Sequence, residues 1–482
     1  MTSAKKHKKK EKKHGIQAKR RNARKTRRTA NTRKWAPAGD SANNDYILLR
    51  VVDVPQIGRL ARLSGFLIRM RKLGPVQWLL TLCELAMQGY VSLNDLGARL
   101  DRDGTPISRQ ALGQKMSPKA LAFCQSVLEA VIAEKVQRVG LLPGTNHHFK
   151  RIIIQDSTVI RLPNWLWEEF SGVKNSQSSV CNARIQGVYD LISGRFLMFS
   201  IDPYSRNDLS AALDFPLKAG DLVLRDRGYF SPEIMRSQGQ SRAESIMRYK
   251  HSTGIYDKET RKPIVLIDLL RKANWLDIDV LIGTKQMEQD NTLVPMRLVA
   301  VPTPEELANL RRMRAKKNNR GHNPSQELLE LMSWTIFFTT LDRSSFSFQQ
   351  IAALYSLRWR IENIFKTWKS HCSFDRIHHV GKQQLLILLT VRLIMITLLY
   401  HHAFIPLFNA MNKEERELSL MKFIRYAQHN LSVICRLLAL ESHTAQQLAP
   451  IRRYCCMDKR KRTSLFEQYL IINKELLNTD NA

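Results

Sequence analysis

The spacing of apolar residues changes along this chain, and each change marks a change of structure. From about Ile47 to Val139 they recur every three or four residues, which predicts amphipathic helices. Residues 75–87 make one such run. Two shorter ones, 92–100 and 108–116, flank a turn at Gly104-Thr-Pro106, with Ser108 placed to cap the second. At Phe149 the spacing gives way to short continuous apolar runs. Arg151-Ile-Ile-Ile-Gln-Asp156 and Asp221-Leu-Val-Leu-Arg-Asp226 read as buried strands that each deliver an aspartate at their end, the second followed by Gly228. Between them, residues 183–191 and 195–201 form a strand pair around Ser193-Gly194, and a helix follows at about 208–213. Strands interleaved with helices indicate an α/β domain.

Between 250 and 333 the core pattern lapses. Residues 278–283 and 294–301 read as strands, and 304–320 as a polar, basic helix entering a loop at 319–324, so this region is an insertion. Residues 334–340 then return to the core as a strand and feed 347–370, where nothing breaks a helix. At about 100° per residue, Leu354, Leu357, Ile361, Ile364, Phe365 and Trp368 share one side of that helix, and Ser356, Arg360, Asn363 and Thr367 form the solvent face. A stripe of Tyr355, Arg358, Glu362 and Lys369 lies along the rim of the apolar side. The remainder, from 383 to about 477, is helical. Its most apolar part, 385–400, is interrupted by Arg392 and falls short of the ~20 residues that span a bilayer, so it is expected to be a buried helix and no membrane is implied.

Charge sharpens the picture. Of 482 residues, 76 are Lys or Arg and 43 Asp or Glu, a formal +33 that points to a polyanionic partner. Much of the excess sits in residues 1–34, which hold Glu11 as their one acid. Such a stretch builds no core and is expected to be a disordered tail making sequence-independent phosphate contacts. The helix pair at 92–116 resembles a helix-turn-helix whose second member offers Arg109, Gln110 and Lys115 to DNA. A second basic segment stands at Lys459-Arg-Lys-Arg462. Seven scattered cysteines without C-x-x-C pairs read as reduced thiols in a cytoplasmic protein and argue against a zinc site.

Singly, none of the acids is informative. An aspartate at a strand end is often a turn former, and Glu362 with Arg358 and Lys366 four residues away is an ordinary surface ion-pair pattern. Together, Asp156, Asp226 and Glu362 are three carboxylates that repel unless a cation joins them. Mg²⁺ takes oxygen ligands and keeps positions open for water and phosphate. A pair of such ions, with Mn²⁺ as a substitute, supports in-line displacement at phosphorus. Arg358, Lys369 and the Tyr355 hydroxyl would hold phosphate oxygens beside them.

The spacing Tyr355-x2-Arg358-x3-Glu362-x6-Lys369 resembles the Y-R-E-K signature of the insertion-sequence-4 family of DDE transposases. Asp156-Ser-Thr and Asp226-Arg-Gly-Tyr resemble that family's two aspartate motifs, and the likeness covers about residues 149–374. It implies an α/β ribonuclease-H-like catalytic core with a mainly β insertion, flanked by helical N- and C-terminal regions. The expected division is a basic tail (1–44), a helical DNA-binding region (45–145), the core's first part (146–250), the insertion (251–333), the core's second part with the glutamate (334–405) and a helical C-terminal region (406–482). It further implies Mg²⁺-dependent cut-and-paste movement of a prokaryotic element with terminal inverted repeats, by a homodimer assembled on its DNA near the nucleoid. Trp334 stands where the family's transposon-five member stacks a flipped base, and Arg248 resembles a residue that contacts the element's end. The rival readings are a DNA-binding regulator derived from a transposase, and a structure-specific nuclease that joins nothing.

Overall fold

The computed structural model describes residues 46–87, 89, 91–134, 148–171, 180–318, 323–377, 380–414, 416–438 and 444–457. The expected tail at 1–44, most of the loop at 319–324 and the Lys459–Arg462 segment lie outside them. Nine strands form a single mixed sheet among the described residues, in the order β3-β2-β1-β4-β5-β9-β8-β7-β6. Their bounds are β1 Arg151–Arg161, β2 Asn182–Asp190, β3 Arg195–Pro203, β4 Asp221–Arg225 and β5 Glu244–Arg248. The other four are β6 Gly254–Asp257, β7 Leu276–Gly283, β8 Val294–Pro302 and β9 Trp334–Thr339. Strands β1, β4 and β5 are parallel, whereas β2 and β3 run antiparallel beside β1, joined by a turn in which Gly194 takes φ +69°. That arrangement of β1–β5 is a ribonuclease-H-like core.

The insertion is not a separate sheet. Strand β9 pairs antiparallel with β5 on one side and with β8 on the other, so β6, β7 and β8 extend the core sheet. Side chains alternate across it. Ile152, Ile154, Leu222, Leu224, Ile246 and Phe337 face one apolar core, and Met247, Leu298, Ile336 and Phe338 face a second.

The first core takes in the helices. Helix Lys382–Thr397 buries twelve consecutive or near-consecutive positions including Arg392, whose guanidinium donates to the carbonyls of Ala86, Gly89 and Phe374. That internal pairing is how an apolar helix tolerates a cation at its centre. The helix continues through a π-helical stretch, Leu398–Phe404, into Ile405–Asn412. The boundary expected at 405/406 falls inside this run, with Pro406 just after the π-helical stretch. Of the most apolar window of Lys382–Asn412, 89% is buried within the protein, in keeping with a core helix. Helices Pro75–Ala86 and Pro118–Ala133 pack on it, so the N-terminal region shares this core. All seven cysteines are buried, and none forms a disulfide.

Residues 347–370 depart from expectation. They form two helices, Phe348–Ser356 and Trp359–His371, separated by a turn at Leu357 and Arg358. Both linking residues keep right-handed φ and ψ, but Leu357 N–H, Arg358 N–H and Arg360 N–H bond three residues back, at 3.1 Å each. Tightened turns of this kind carry no sequence marker. The expected solvent face is also partly covered. Arg360 is half-buried, with Tyr400 and Tyr189 near enough to act on its charge, and burial lowers its pKa.

Candidate active site

Strand register brings the two aspartates together. In the parallel pair β1/β4 the last partners are Gln155 and Arg225, and in β4/β5 they are Arg225 and Met247. The residues that follow that last paired row are Asp156, Asp226 and Arg248, and Asp226 comes just after β4 ends. All three share the face of Leu224 and Ile246, the face covered by the helix that carries Glu362. Asp156 was expected at the end of its strand. Instead β1 runs on to Arg161, paired only with β2, and Asp156 stands where β4 leaves it. The loss of the parallel partner opens space in front of the aspartate while the β2 pairing keeps its backbone rigid.

Arg358 ties this row to the helix. Its Nη1 lies 3.1 Å from Asp156 Oδ2 and its Nη2 2.7 Å from Glu362 Oε1, with the guanidinium almost wholly buried. Tyr355 is buried as well: its hydroxyl donates to the Arg225 carbonyl at 3.1 Å, its ring packs on Phe337, and burial pushes the phenol up to about 12. These two were expected on the rim of the helix. The turn at 357–358 swings them inward instead, beneath the carboxylates. Burial pushes the Asp156 carboxyl up to about 7, despite the opposing pull of Arg358 and of the Ser157 N–H at 2.8 Å, with Glu362 and Asp226 adding repulsion. Asp226 is exposed and Glu362 half-buried, so the cluster opens to solvent on one side.

Sequence reading missed the support behind Asp156. Asp208 Oδ1 accepts from Ser157 Oγ at 2.9 Å, Arg184 Nη1 at 2.7 Å and Gln186 Nε2 at 3.1 Å. The short helix that presents it, Asp208–Ala211, is pinned through carbonyls by Gln155 and Arg225. Ser157 was visible as part of Asp156-Ser-Thr, but no local signal linked it to an aspartate 51 residues away. Also missed was Arg311, which reaches Thr303 Oγ1, Thr335 Oγ1 and the Trp334 carbonyl at 2.9 to 3.3 Å. Burial lowers the pKa of both Arg248 and Arg311, and repulsion among Arg227, Arg248 and Arg311 contributes. Unneutralised guanidinium groups beside an acidic row suit a phosphate whose metal-facing side is anionic.

The other expected residues are spread out. Arg248 packs 5.9 Å over the Phe337 ring, within the site. Trp334 begins β9 at the same end of the sheet, but its ring joins the second core, on the face away from Tyr355. Lys369 is half-buried near Asp375, two turns along the helix from Glu362. Ser108 caps Arg109–Lys115 as expected, and Arg109 and Gln110 point to solvent. Lys115 instead folds back, its Nζ 5.0 Å over the Phe66 ring, a cation–π contact that competes with an outward reach.

The donor chemistry suits a divalent cation. Carboxylate oxygens are the ligands Mg²⁺ prefers, and a guanidinium bridging Asp156 and Glu362 shows that this place already requires positive charge. In this conformation Arg358 meets that need, and among the described residues no three Asp, Glu, His or Cys side chains are drawn close enough to hold an ion.

A family model for the transposase DDE domain matches residues 147–398, more than half of the chain. The chain belongs to that family. It is a DNA transposase, an enzyme of the polynucleotidyl-transferase type. Among its relatives, the transposase for insertion sequence element IS231F of Bacillus thuringiensis subsp. israelensis is 28% identical over 412 residues, 80% of this chain and 85% of that protein. The transposase for insertion sequence element IS1151 of Clostridium perfringens is 23% identical over 392 residues, 77% of this chain and 82% of that one. The matched DDE segment opens just before β1 and closes at Leu398, spanning the acidic row, the whole insertion and the glutamate helix.

Proposed function

We propose that Asp156, Asp226 and Glu362 are the catalytic carboxylates of a cut-and-paste transposase of the insertion-sequence-4 group. On this reading the enzyme cleaves at its element's terminal inverted repeats and joins the freed 3′ ends to target DNA. The observation that carries the reading is that Asp156, Asp226 and Arg248 each follow the last in-register row of β1, β4 and β5, while one buried arginine links Asp156 to Glu362. A regulator that only bound DNA would bear the cost of burying Asp156 among like charges without return.

The three carboxylates would hold Mg²⁺ or Mn²⁺, which when bound supplies charge neutralisation at the phosphate and a more acidic attacking water or hydroxyl. The chain's own residues do the rest. Asp208 holds Ser157, and through the Ser157 N–H fixes the Asp156 carboxylate. Arg248 and Arg311 would grip non-reacting phosphate oxygens, and Tyr355 keeps the preceding helix, Phe348–Ser356, against β4. Arg358, displaced from the acids, would turn to the same phosphate. Trp334 borders a cleft of about 400 Å³ with Arg271 and Arg312, room for a single extruded base to stack. Arg109 and Gln110 would read the terminal repeat, and two copies would assemble around paired ends in the cytoplasm of a prokaryote.

Asp156→Ala, Asp226→Ala and Glu362→Ala should each abolish Mg²⁺-dependent nicking of a duplex carrying the element's end while leaving its binding intact. Full cleavage by any one of them defeats the assignment. Joining of cut ends to a supercoiled plasmid separates the transposase from a nuclease.

A further inference from the structure

A second cationic site lies at the far end of the glutamate helix. There a cleft of about 890 Å³ opens between that helix's last turn, the helix Leu420–His429 and the end of Pro75–Ala86. Its lining includes Ser370, Ser373, Arg376, Arg425 and the stacked pair Tyr426–Tyr454. Glu84 is the one acid among the described lining residues, and Arg99 already pairs with it at 2.7 Å. Arg376 and Arg425 are exposed, and among the described residues neither has an ion pair. The carbonyl at the helix end, which would repel an anion, is occupied: Gln428 donates to the His371 carbonyl.

The cleft and the acidic site lie along the same helix. At 1.5 Å per residue, Ser370 stands about 12 Å along the helix from Glu362. Lys366 and Lys369 sit within about 40° of Glu362 around the axis, so a cationic stripe runs between the two. That length corresponds to about four nucleotides at 3.4 Å per phosphate along one strand.

We propose that this cleft is a DNA-backbone site that seats phosphates about four nucleotides from the bond being cut, with Arg376 and Arg425 as their contacts. The distance from the cut bond rests on Glu362 being catalytic; the phosphate chemistry of the cleft does not. Its role is to fix the direction in which the duplex leaves the carboxylates.

The test uses the full-length protein and two duplexes bearing the terminal repeat from beside its own gene. Both continue about twelve base pairs beyond the cleavage point on each side; one is unmodified, and in the other uncharged methylphosphonates replace the phosphates about three to five nucleotides from that point on each side. Binding is followed by fluorescence anisotropy between about 50 and 200 mM salt, with EDTA present so that nothing is cut. Arg376→Gln/Arg425→Gln should lower the slope of log affinity against log salt by about 1.8 on the unmodified duplex, two phosphates' worth. Across that salt range the variant's affinity then falls about tenfold less than the wild type's. On the methylphosphonate duplex the two proteins should agree, and Arg376→Lys/Arg425→Lys should keep the wild-type slope on both. Equal slopes for Gln variant and wild type on the unmodified duplex overturn the proposal. So does an equal drop on both duplexes, or a Gln variant whose only change is a lost self-association. Matching circular dichroism melts show that the variant is folded. Since no cleavage is measured, the slope on the unmodified duplex tests the phosphate contacts whether or not the carboxylate assignment holds, and only the comparison between duplexes depends on it.

Discussion

Replacing Asp156 by Asn should make the transposase relatively more stable as pH rises. Burial raises the folded carboxyl from the ordinary 3.8 to about 7. Below the lower value both folded and unfolded chains hold the proton, and the site contributes nothing to the pH dependence. Between the two values the unfolded chain gives up a proton that the folded chain keeps, so stability falls as pH rises and levels off above about 7. A gap of about 3 in pKa, at 1.36 kcal/mol each, makes the full loss about 4 kcal/mol. The side chain keeps only 15% of its surface, so solvent screening trims this little. Asn does not titrate. It also weakens the contact with Arg358, which adds an offset but changes the slope little while the arginine stays charged. Urea denaturation of both proteins without divalent metal, at about pH 4.5 and pH 8, should show the variant gaining about 3 kcal/mol on the wild type between the two conditions. Parallel stability profiles would refute the reasoning, as would a variant that loses ground with rising pH. The latter would mean that the Arg358 pairing outweighs burial.

Arg358→Met leaves two neighbouring carboxylates without their shared cation and should destabilise the metal-free protein at pH 8 by about 3 kcal/mol. Mg²⁺ should raise its melting temperature more than that of the wild type, read by calorimetry. Gly187→Val should cut cleavage at least tenfold with binding retained, because a Cβ there meets Phe365 Cζ at 3.1 Å and the glutamate helix must move. Normal turnover by that variant would show that the helix has slack. Arg392→Met removes three carbonyls' partner from the core and should cost about 3 kcal/mol in urea denaturation. Asp208→Ala should lower kcat far more than it raises KM and move the acid limb of the pH–rate profile, since Ser157 no longer steadies Asp156. A change confined to KM would place Asp208 outside the site's support.

The legible parts of this protein were those written in local periodicity. The strands that deliver Asp156 and Asp226 are short apolar runs, and β7, β8 and β9 could be placed within a few residues for the same reason. Four features were illegible because they depend on partners far along the chain. The break at Leu357 and Arg358 leaves the helical pattern intact, and only the inward pull on Tyr355 and Arg358 shows it. Arg360 sits on the polar side of its wheel, yet it is half-buried near Tyr189 and Tyr400, both remote in sequence. Strand order belongs to this class too: nothing in residues 254–302 says that they join the same sheet as β1, since pairing with β9 decides it. Asp208 shows the same limit at the site, a plain helix-opening residue until Ser157 and Arg184 converge on it.

The antiparallel pairing of β5 with β9 has a topological consequence. The chain leaves the core after Arg248 and re-enters at Trp334, on adjacent strands, and β8 then pairs along the whole of β9, so the insertion is stitched into the sheet that it interrupts. Strands β6 and β7, farther from the aspartates, can lengthen or shorten without touching β1 or β4, whereas β8 is held by its pairing with β9. Such an outer edge would let selection refit how the enzyme grips its substrate while the chemistry stays untouched.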